Sequence, residues 1–212
     1  MSILGTVSPV LRLMFERVGK PEVLDRPLVL GPSGGGAVIV CNHVGWADSL
    51  WMAYAVYPRE LRNMSKQELF ASPLTSWVLK TCRSIAIDRG DPAPSSIKSA
   101  VESVRNGDLL LIFPSGSRSL DVFKRGAATI ALHAGVPIVP ALYQGPKQMM
   151  ASHVVDRPVI KIHFGPAIST TGLAAGKASA VALTEQLRES VELLRSSARA
   201  REAETRAIPL SH

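Results

Sequence analysis

The sequence has no uninterrupted apolar run of the roughly 18–20 residues that a membrane-spanning helix needs. The longest candidate segment, from Gly126 to Tyr143, is interrupted by His133, Gly135, Pro137 and Pro140. Nevertheless, 46% of the 212 residues are hydrophobic and only 19% are charged. We therefore assign the apolar excess to a core and, as an open possibility, to an exposed surface that faces lipid.

Aromatic residues and cysteines are also scarce. Aromatics make up 5% of the chain, and no RRM, KH, helix-turn-helix or zinc-finger signature occurs, so we expect no nucleic-acid partner. The two cysteines form no CxxC motif, which is typical of buried thiols in a reducing cytoplasm. His153 and His163 have no carboxylate or cysteine at metal-ligand spacing, so we predict no metal.

The charge balance leaves several anionic partners open. Lysine and arginine outnumber the acids 24 to 17, giving a net charge of +7. This balance suits an anionic lipid surface, a phosphorylated substrate or an acidic carrier protein.

Short apolar runs alternate with segments of helical periodicity along most of the chain. This alternation predicts a single α/β domain with a mixed, mostly parallel sheet flanked by helices. Its boundaries are predicted at residues 26–195, followed by a charged, frayed tail over 196–212. Gly31 to Gly36 lacks the Gly-Lys-Ser/Thr ending of a phosphate loop and precedes a strand, so it predicts a flexible connector.

Residues 1–25 are predicted to contain an N-terminal amphipathic helix. Apolar residues recur at helical spacing between Ile3 and Val18, and basic residues lie nearby. Such a helix suits a membrane interface, although packing against its own domain fits the same pattern.

The stretch Cys41 to Asp48 contains the strongest candidate for a catalytic pair. His43 follows an apolar run, Ala37 to Val40, that reads as a buried strand, and Asp48 follows five positions later. Five positions on one helix turn through roughly 500°, so the two side chains meet only across a turn, which Gly45 permits. Asp48 would then hold one ring nitrogen while the other takes a proton from a hydroxyl. From these residues alone, the favoured interpretation is that Asp48 is a helix N-cap and His43 a hydrogen-bonded core histidine.

Four blocks of this sequence, in this order, resemble those of the PlsC-type glycerolipid acyltransferases. They are Asn42-His43-x4-Asp48, Ile87-Asp88-Arg89, Phe113-Pro114-Ser115-Gly116-Ser117-Arg118-Ser119 and Val136-Pro137-Ile138-Val139-Pro140. The resemblance implies the fold of glycerol-3-phosphate acyltransferases and an O-acyltransferase that needs no cofactor. The third block departs from the family pattern, because serine occupies position 115 where the family usually has glutamate.

The resemblance also implies roles for residues outside the His-Asp pair. Arg118 would bind the phosphate of the acceptor, with Lys66 and Arg89 contributing to the same pocket. The backbone from Ser115 through Gly116 to Ser117 would supply hydrogen-bond donors to the thioester oxygen.

The activity implied is transfer of a fatty acyl group from acyl-CoA or an acyl carrier protein to a lysophospholipid, foremost 1-acyl-glycerol-3-phosphate. The expected location is the cytoplasmic side of the plasma membrane, bound peripherally to the membrane surface. Ser115 favours an alternative acceptor, such as a glycolipid, an amino lipid or a specialised metabolite. A non-catalytic lipid-binding module is a third possibility.

Overall fold

A computed structural model describes residues 12–31, 33–81, 84–87, 93–114 and 123–207, and these residues build one sheet with helices on both faces. The strands, in chain order, are β1 (Lys20–Leu24), β2 (Ala37–Cys41), β3 (Leu61–Lys66), β4 (Ile85–Ile87), β5 (Leu109–Ile112), β6 (Ile138–Gln144) and β7 (Val159–Phe164). The helices are α1 (residues 12–18), α2 (Ala47–Val56), α3 (Pro73–Thr81), α4 (Pro94–Arg105), α5 (Gly126–Ala134), α6 (His153–Asp156) and α7 (Lys177–Ala207). Short 3-10 turns occupy Leu28–Leu30 and Gln67–Phe70.

The strand order across the sheet is β1-β7-β6-β2-β5-β3-β4. Every neighbouring pair is parallel except β6 and β7. The predicted α/β domain with a mostly parallel sheet is therefore confirmed. Because β2, β3, β5 and β6 run in one direction, their carboxyl ends lie along a single edge of the sheet, where α/β proteins place their sites.

The central strand β2 divides the core into two layers. It is fully buried between β5 and β6, as expected for an apolar strand of a parallel sheet. Val38 and Val40 pack with α4, α5 and α7 on one face. Ile39 and Cys41 pack on the other face, against α2 and Phe15 of α1.

The N-terminal segment differs from the prediction for residues 1–25. Residues 12–18 are helical, but Lys20–Leu24 forms an edge strand that pairs in parallel with β7. The domain boundary predicted at residue 26 would therefore separate β1 from the sheet to which it belongs. The strand was hard to predict because it contains Pro21, which an edge strand tolerates, and because its sequence does not alternate. The apolar positions before residue 12 lie outside the described residues.

The glycine-rich connector before β2 is held in place, in contrast to the flexible segment predicted. The Arg59 guanidinium donates hydrogen bonds to the carbonyls of Val29, Gly31, Gly35 and Gly107, at 2.6–3.2 Å. A Cβ on Gly36 would lie 1.7 Å from the carbonyl oxygen of Val104. Glycine is required here because two backbone segments touch, not because the connector moves.

The C-terminal segment also differs, because α7 continues to Ala207 where a frayed tail was predicted from residue 196. Ala198 is 1% exposed, and Arg201 contacts Asp25 at 3.3 Å. Alanine has the highest helix propensity, so an alanine-rich charged segment remains helical once one face has a surface to pack on.

Among the described residues, no helix is both long enough and apolar enough to cross a membrane.

Candidate active site

The site begins where β2 ends. The side chain of Asn42 accepts a hydrogen bond from the backbone N–H of Tyr143 at 2.7 Å and donates one to the carbonyl oxygen of Tyr143 at 3.0 Å. These two bonds continue the pairing between β2 and β6 by one residue beyond Cys41. His43 therefore follows a residue whose side chain is held to β6.

His43 and Asp48 form the predicted pair. His43 Nδ1 lies 2.9 Å from Asp48 Oδ2. The Asp48 side chain is completely buried, whereas that of His43 is 22% exposed. A carboxylate oxygen can only accept, so Nδ1 is the donor and Nε2 has its lone pair available. Nε2 makes no hydrogen bond within the described part of the chain.

The same carboxylate oxygen also holds the turn between the two residues. Asp48 Oδ2 accepts hydrogen bonds from the backbone N–H groups of Val44, at 2.8 Å, and Gly45, at 3.1 Å. Helix α2 begins at Ala47, and its N-cap residue, Trp46, makes no side-chain capping bond. Asp48 is thus not an N-cap of α2, and the alternative interpretation of this residue is excluded.

Gly45 is needed for a reason other than the turn geometry that we predicted. A Cβ at this position would lie 1.9 Å from the carbonyl oxygen of Lys147. That carbonyl also accepts a hydrogen bond from the N–H of Ala47, at 3.3 Å. The backbone at residue 147 therefore lies directly against the turn that carries the pair.

Phe113, the first residue after β5, positions the imidazole. Its ring centroid lies 4.3 Å from that of His43, with an interplanar angle of 30°. Because β5 is the neighbour of β2, Phe113 emerges beside His43 although 70 positions separate them. With Asp48 on Nδ1 and Phe113 against the ring, His43 is restrained in both orientation and tautomer.

Phe113 also lines an apolar cavity of about 140 Å³. Its lining is almost entirely hydrophobic and comes from the carboxyl ends of β3, β4 and β5 and from helices α4 and α5: Met64, Ile87, Ile97, Ile112, Phe113, Pro114, Lys124, Gly126, Ala127 and Ile130. The cavity can therefore hold a hydrocarbon segment next to the imidazole.

Two further ionisable groups near the pair, the Cys41 thiol and the Tyr143 hydroxyl, are not reactive. Burial and the nearby Asp48 raise the pKa of the Cys41 thiol, so this buried cysteine is not a competing nucleophile. Burial also raises the pKa of Tyr143, whose hydroxyl donates to the carbonyl oxygen of Pro146 at 2.9 Å. Both groups are structural.

Lys66 is the last residue of β3 and lies at the same edge of the sheet as His43. One strand, β5, separates β3 from β2, so the two positions are roughly 10 Å apart across the sheet. The other predicted binding residues, Arg89, Ser115, Gly116, Ser117 and Arg118, lie outside the described residues.

Sequence reasoning assigned no role to Phe113, Asn42 or the backbone at Lys147. Phe113 and Asn42 belong to the sequence blocks on which the family resemblance is based. Their position in these blocks was the indication in the sequence that they lie at the site. Nothing in the sequence indicated the contact between Lys147 and Gly45.

Comparison with known proteins identifies the family of the chain. The family described as "Acyltransferase" matches residues 17–144. The 1-acyl-sn-glycerol-3-phosphate acyltransferase of Bacillus subtilis (strain 168) is 35% identical over 167 residues, which cover 77% of this chain and 83% of that protein. The protein of the same name from Streptococcus pneumoniae (strain ATCC BAA-255 / R6) is 35% identical over 137 residues, covering 64% of this chain and 51% of that protein.

A solved structure shows the same fold. The crystal structure of the 1-acyl-sn-glycerophosphate (LPA) acyltransferase PlsC from Thermotoga maritima superposes with a TM-score of 0.63 at 19% identity, covering 89% of this chain and 80% of that one. The chain belongs to the acyltransferase family, and the resemblance identified from its four blocks is confirmed.

Proposed function

We propose that the protein transfers a fatty acyl group from a thioester, acyl-CoA or acyl carrier protein, to the free hydroxyl of 1-acyl-glycerol-3-phosphate, which gives phosphatidic acid. The observation that supports this most directly is the pairing of His43 with a fully buried Asp48 at 2.9 Å. The similar proteins from Bacillus subtilis and Streptococcus pneumoniae are both named for this acceptor.

In the proposed reaction, His43 is the general base. Its Nε2 takes the proton of the acceptor hydroxyl as that oxygen bonds to the thioester carbonyl carbon. Asp48 stabilises the imidazolium that forms. When the tetrahedral intermediate collapses, the carbon–sulfur bond breaks and the imidazolium returns the proton to the departing thiolate. The acceptor's hydroxyl replaces the serine of a hydrolase triad, so no acyl-enzyme forms.

The acyl chain of one substrate would lie in the apolar cavity beside Phe113. Met64 and Ile97 line this cavity, which shares Phe113 with the imidazole environment. A hydrocarbon chain there would place its ester or thioester end near His43, and burial of the chain would supply binding energy at about 0.8 kcal/mol per methylene.

The acceptor's phosphate would bind Arg118 through two parallel hydrogen bonds, supported by Lys66 and Arg89. Backbone N–H groups between Ser115 and Ser117 would stabilise the negative charge on the thioester oxygen, because Gly116 permits close approach. Arg118→Ala is therefore expected to raise the KM for a phosphorylated acceptor; an unchanged KM would remove this residue from the phosphate site.

A second acceptor class is favoured by one observation, the serine at position 115. Serine in place of glutamate removes a negative charge from the block assigned to the acceptor. A glycolipid, an amino lipid or a hydroxylated metabolite would undergo the same acyl transfer through the same His43.

The test is acyl transfer by the purified protein with palmitoyl- and oleoyl-CoA and a panel of lysolipids, followed as thiol release and lipid product. His43→Ala is expected to lower kcat by roughly 10²–10⁴-fold, the usual contribution of a general base. His133→Ala is the matched control, because His133 is an exposed histidine of α5 whose ring bonds the Thr129 carbonyl of its own helix.

The panel separates the alternatives. Phosphatidic acid that depends on His43 supports the proposed acceptor, whereas transfer only to a non-phosphorylated acceptor assigns Ser115 to the second class. If no transfer from acyl-CoA is observed, the assay is repeated with a carrier-protein thioester as the donor. Tight lipid binding without transfer from either donor would indicate a binding module and contradict the proposal.

A further inference from the structure

A cavity of about 430 Å³ lies between the C-terminal half of α7 and the segments that follow β1 and β7. It shares no lining residue with the apolar cavity beside Phe113. Strand β6 separates β7 from β2, the strand that leads to His43. The lining is part apolar and part polar, and it includes Asp25, Pro27, His163, Leu194, Ser197 and Arg201.

His163 brings a buried polar atom without a partner to this cavity. The residue is 3% exposed, and its Nε2 has no hydrogen-bond partner among the described residues. Ile160 and Ile162 of the same strand pack in the core layer that contains α2. Because side chains alternate along a strand, His163 lies on the opposite face, with α7. Buried polar atoms of native proteins are nearly always hydrogen-bonded, so an unpaired Nε2 at a cavity indicates a polar ligand there.

Helix α7 contributes two hydrogen-bond donors to the same cavity. Ser197 and Arg201 are four positions apart and therefore lie on one face of the helix. Nη1 and Nη2 of Arg201 both reach a single oxygen, Oδ2 of Asp25, at 3.3 Å. The Arg201 side chain is 51% exposed and that of Asp25 59%. Such a long and exposed ion pair is weak, so another acceptor in the cavity can compete for the guanidinium.

The charges around His163 favour an anion over a cation. Burial lowers the pKa of its imidazole most, and Arg201 and Lys161 lower it further, against the smaller opposing effects of Asp25 and Glu202. Positive charge therefore prevails at the unpaired nitrogen. A bound anion would reduce this excess of positive charge, whereas a bound cation would increase it.

The size of the cavity also fits a small molecule. Its volume is many times the roughly 30 Å³ that one water molecule occupies in the liquid. It lies within the range of about 300–1,000 Å³ that is typical of small-molecule sites. Pro27 and Leu194 provide apolar contacts for a short hydrocarbon body.

We propose that this cavity binds a small oxyanion, a phosphate or a carboxylate, whose oxygens accept hydrogen bonds from His163, Ser197 and Arg201. A guanidinium and a hydroxyl are donors, and a neutral imidazole with its hydrogen on Nε2 is a third donor. The anion would satisfy the buried nitrogen of His163 and compete with Asp25 for Arg201. This inference does not depend on the proposed function, since none of the three groups belongs to the candidate active site.

The first experiment is a titration of the full chain with sodium sulfate, followed through the NMR signals of the histidine rings. Sodium chloride keeps the ionic strength constant, so that general screening does not contribute. The His163 signals are assigned by their absence from the spectrum of His163→Phe. Phenylalanine retains the ring and removes the unpaired nitrogen, so this variant is expected to fold. We expect the His163 signals of the unmodified protein to shift and to reach saturation with sulfate.

The second experiment repeats this titration in Arg201→Gln. The variant is expected to bind sulfate about fivefold more weakly, because a charge-assisted hydrogen bond at a half-exposed position is lost. Arg188→Gln is the matched control, because Arg188 also lies on α7, is 50% exposed and pairs with a carboxylate, that of Glu185. It is expected to bind sulfate as the unmodified protein does.

Titrations with inorganic phosphate and with acetate identify the class of oxyanion. A response to sulfate and phosphate alone assigns the cavity to phosphate groups, and a response to acetate alone assigns it to carboxylates. If the His163 signals respond to none of the three anions, the inference is overturned. Equal sulfate affinity in Arg201→Gln and the unmodified protein also overturns it.

The outcomes are separate from those of the acyl-transfer assay. His43→Ala is expected to bind sulfate at His163 as the unmodified protein does. Sulfate binding by a protein that transfers no acyl group would therefore contradict only the proposed function.

Discussion

At the scale of single residues, Asp48 serves two purposes through one oxygen. Oδ2 accepts from the His43 ring and from two backbone N–H groups of the turn. Because the carboxylate is fully buried, these three donors replace water at Oδ2. The turn and the tautomer of the imidazole are therefore set by the same group.

Asp48→Asn is accordingly expected to impair both function and stability. The amide oxygen of asparagine is neutral, so the three hydrogen bonds to Oδ2 lose their charged acceptor, which costs about 2–3 kcal/mol. We expect kcat to fall by roughly 10²–10⁴-fold, measured as thiol release, and the urea midpoint to fall.

Ser49→Ala is the control for that substitution, because the Ser49 hydroxyl reaches Asp48 Oδ1 only at 3.4 Å. Ser49→Ala is expected to change neither kcat nor the urea midpoint appreciably. Turnover within twofold of the unmodified enzyme in Asp48→Asn would remove Asp48 from the mechanism.

At the scale of elements, the turn after β2 and the loop after β6 support each other. Asn42 bonds Tyr143, the Tyr143 hydroxyl bonds Pro146, and the Lys147 carbonyl packs on Gly45. The position of the catalytic pair therefore depends on a loop about a hundred residues further along the chain.

Gly45→Ala tests this dependence. The added Cβ would require the backbone at residue 147 to move by more than 1 Å, since an ordinary carbon–oxygen contact is about 3.3–3.6 Å. We expect a loss of stability of about 1–3 kcal/mol and a lower kcat. Gly176→Ala, whose Cβ would meet nothing within 4 Å, is expected to retain both its stability and its kcat. Full activity in Gly45→Ala would show that the loop is dispensable.

Helix α7 offers a second test at this scale, because its last third was expected to fray. Ala198→Asp would bury an unpaired carboxylate and is expected to cost more than about 2 kcal/mol in urea unfolding. Ala200→Asp, an exposed site on the same helix, is expected to cost less than about 1 kcal/mol. Equal losses would indicate that this part of α7 does not pack on the domain.

At the scale of the whole molecule, His163 links stability to pH at some distance from the catalytic pair. Burial, followed by Arg201 and Lys161, lowers the pKa of His163 below its ordinary value of 6.5, against the opposing effect of Asp25 and Glu202. Its Nε2 has no hydrogen-bond partner among the described residues. The native state therefore favours the neutral imidazole.

The sign of the pH effect follows from linkage. Below about pH 6.5 the unfolded chain binds this proton more readily than the native protein, so stability rises with pH up to that point and falls as the pH is lowered. His163→Gln is expected to reduce the dependence of the free energy of unfolding on pH below about pH 6.5. His133→Gln, at an exposed site, is expected to leave the dependence of the unfolding free energy on pH unchanged. If His163→Gln also leaves it unchanged, the assignment of this pH dependence to His163 is wrong.

The sequence by itself determined the features that depend on local pattern. The apolar run of β2, the turn between His43 and Asp48, and the alternation of strands with helices are encoded within a few neighbouring residues. They could therefore be predicted, as could the family from its four blocks.

Only the tertiary structure decided the contacts between distant segments. It placed Phe113 against His43, the Lys147 carbonyl against Gly45, and Lys20–Leu24 at the edge of the sheet. It also left Val154 and Val155 of α6 exposed. These arrangements depend on which strands pair and which faces are covered, and no local periodicity encodes that, because packing joins residues without regard to their separation along the chain.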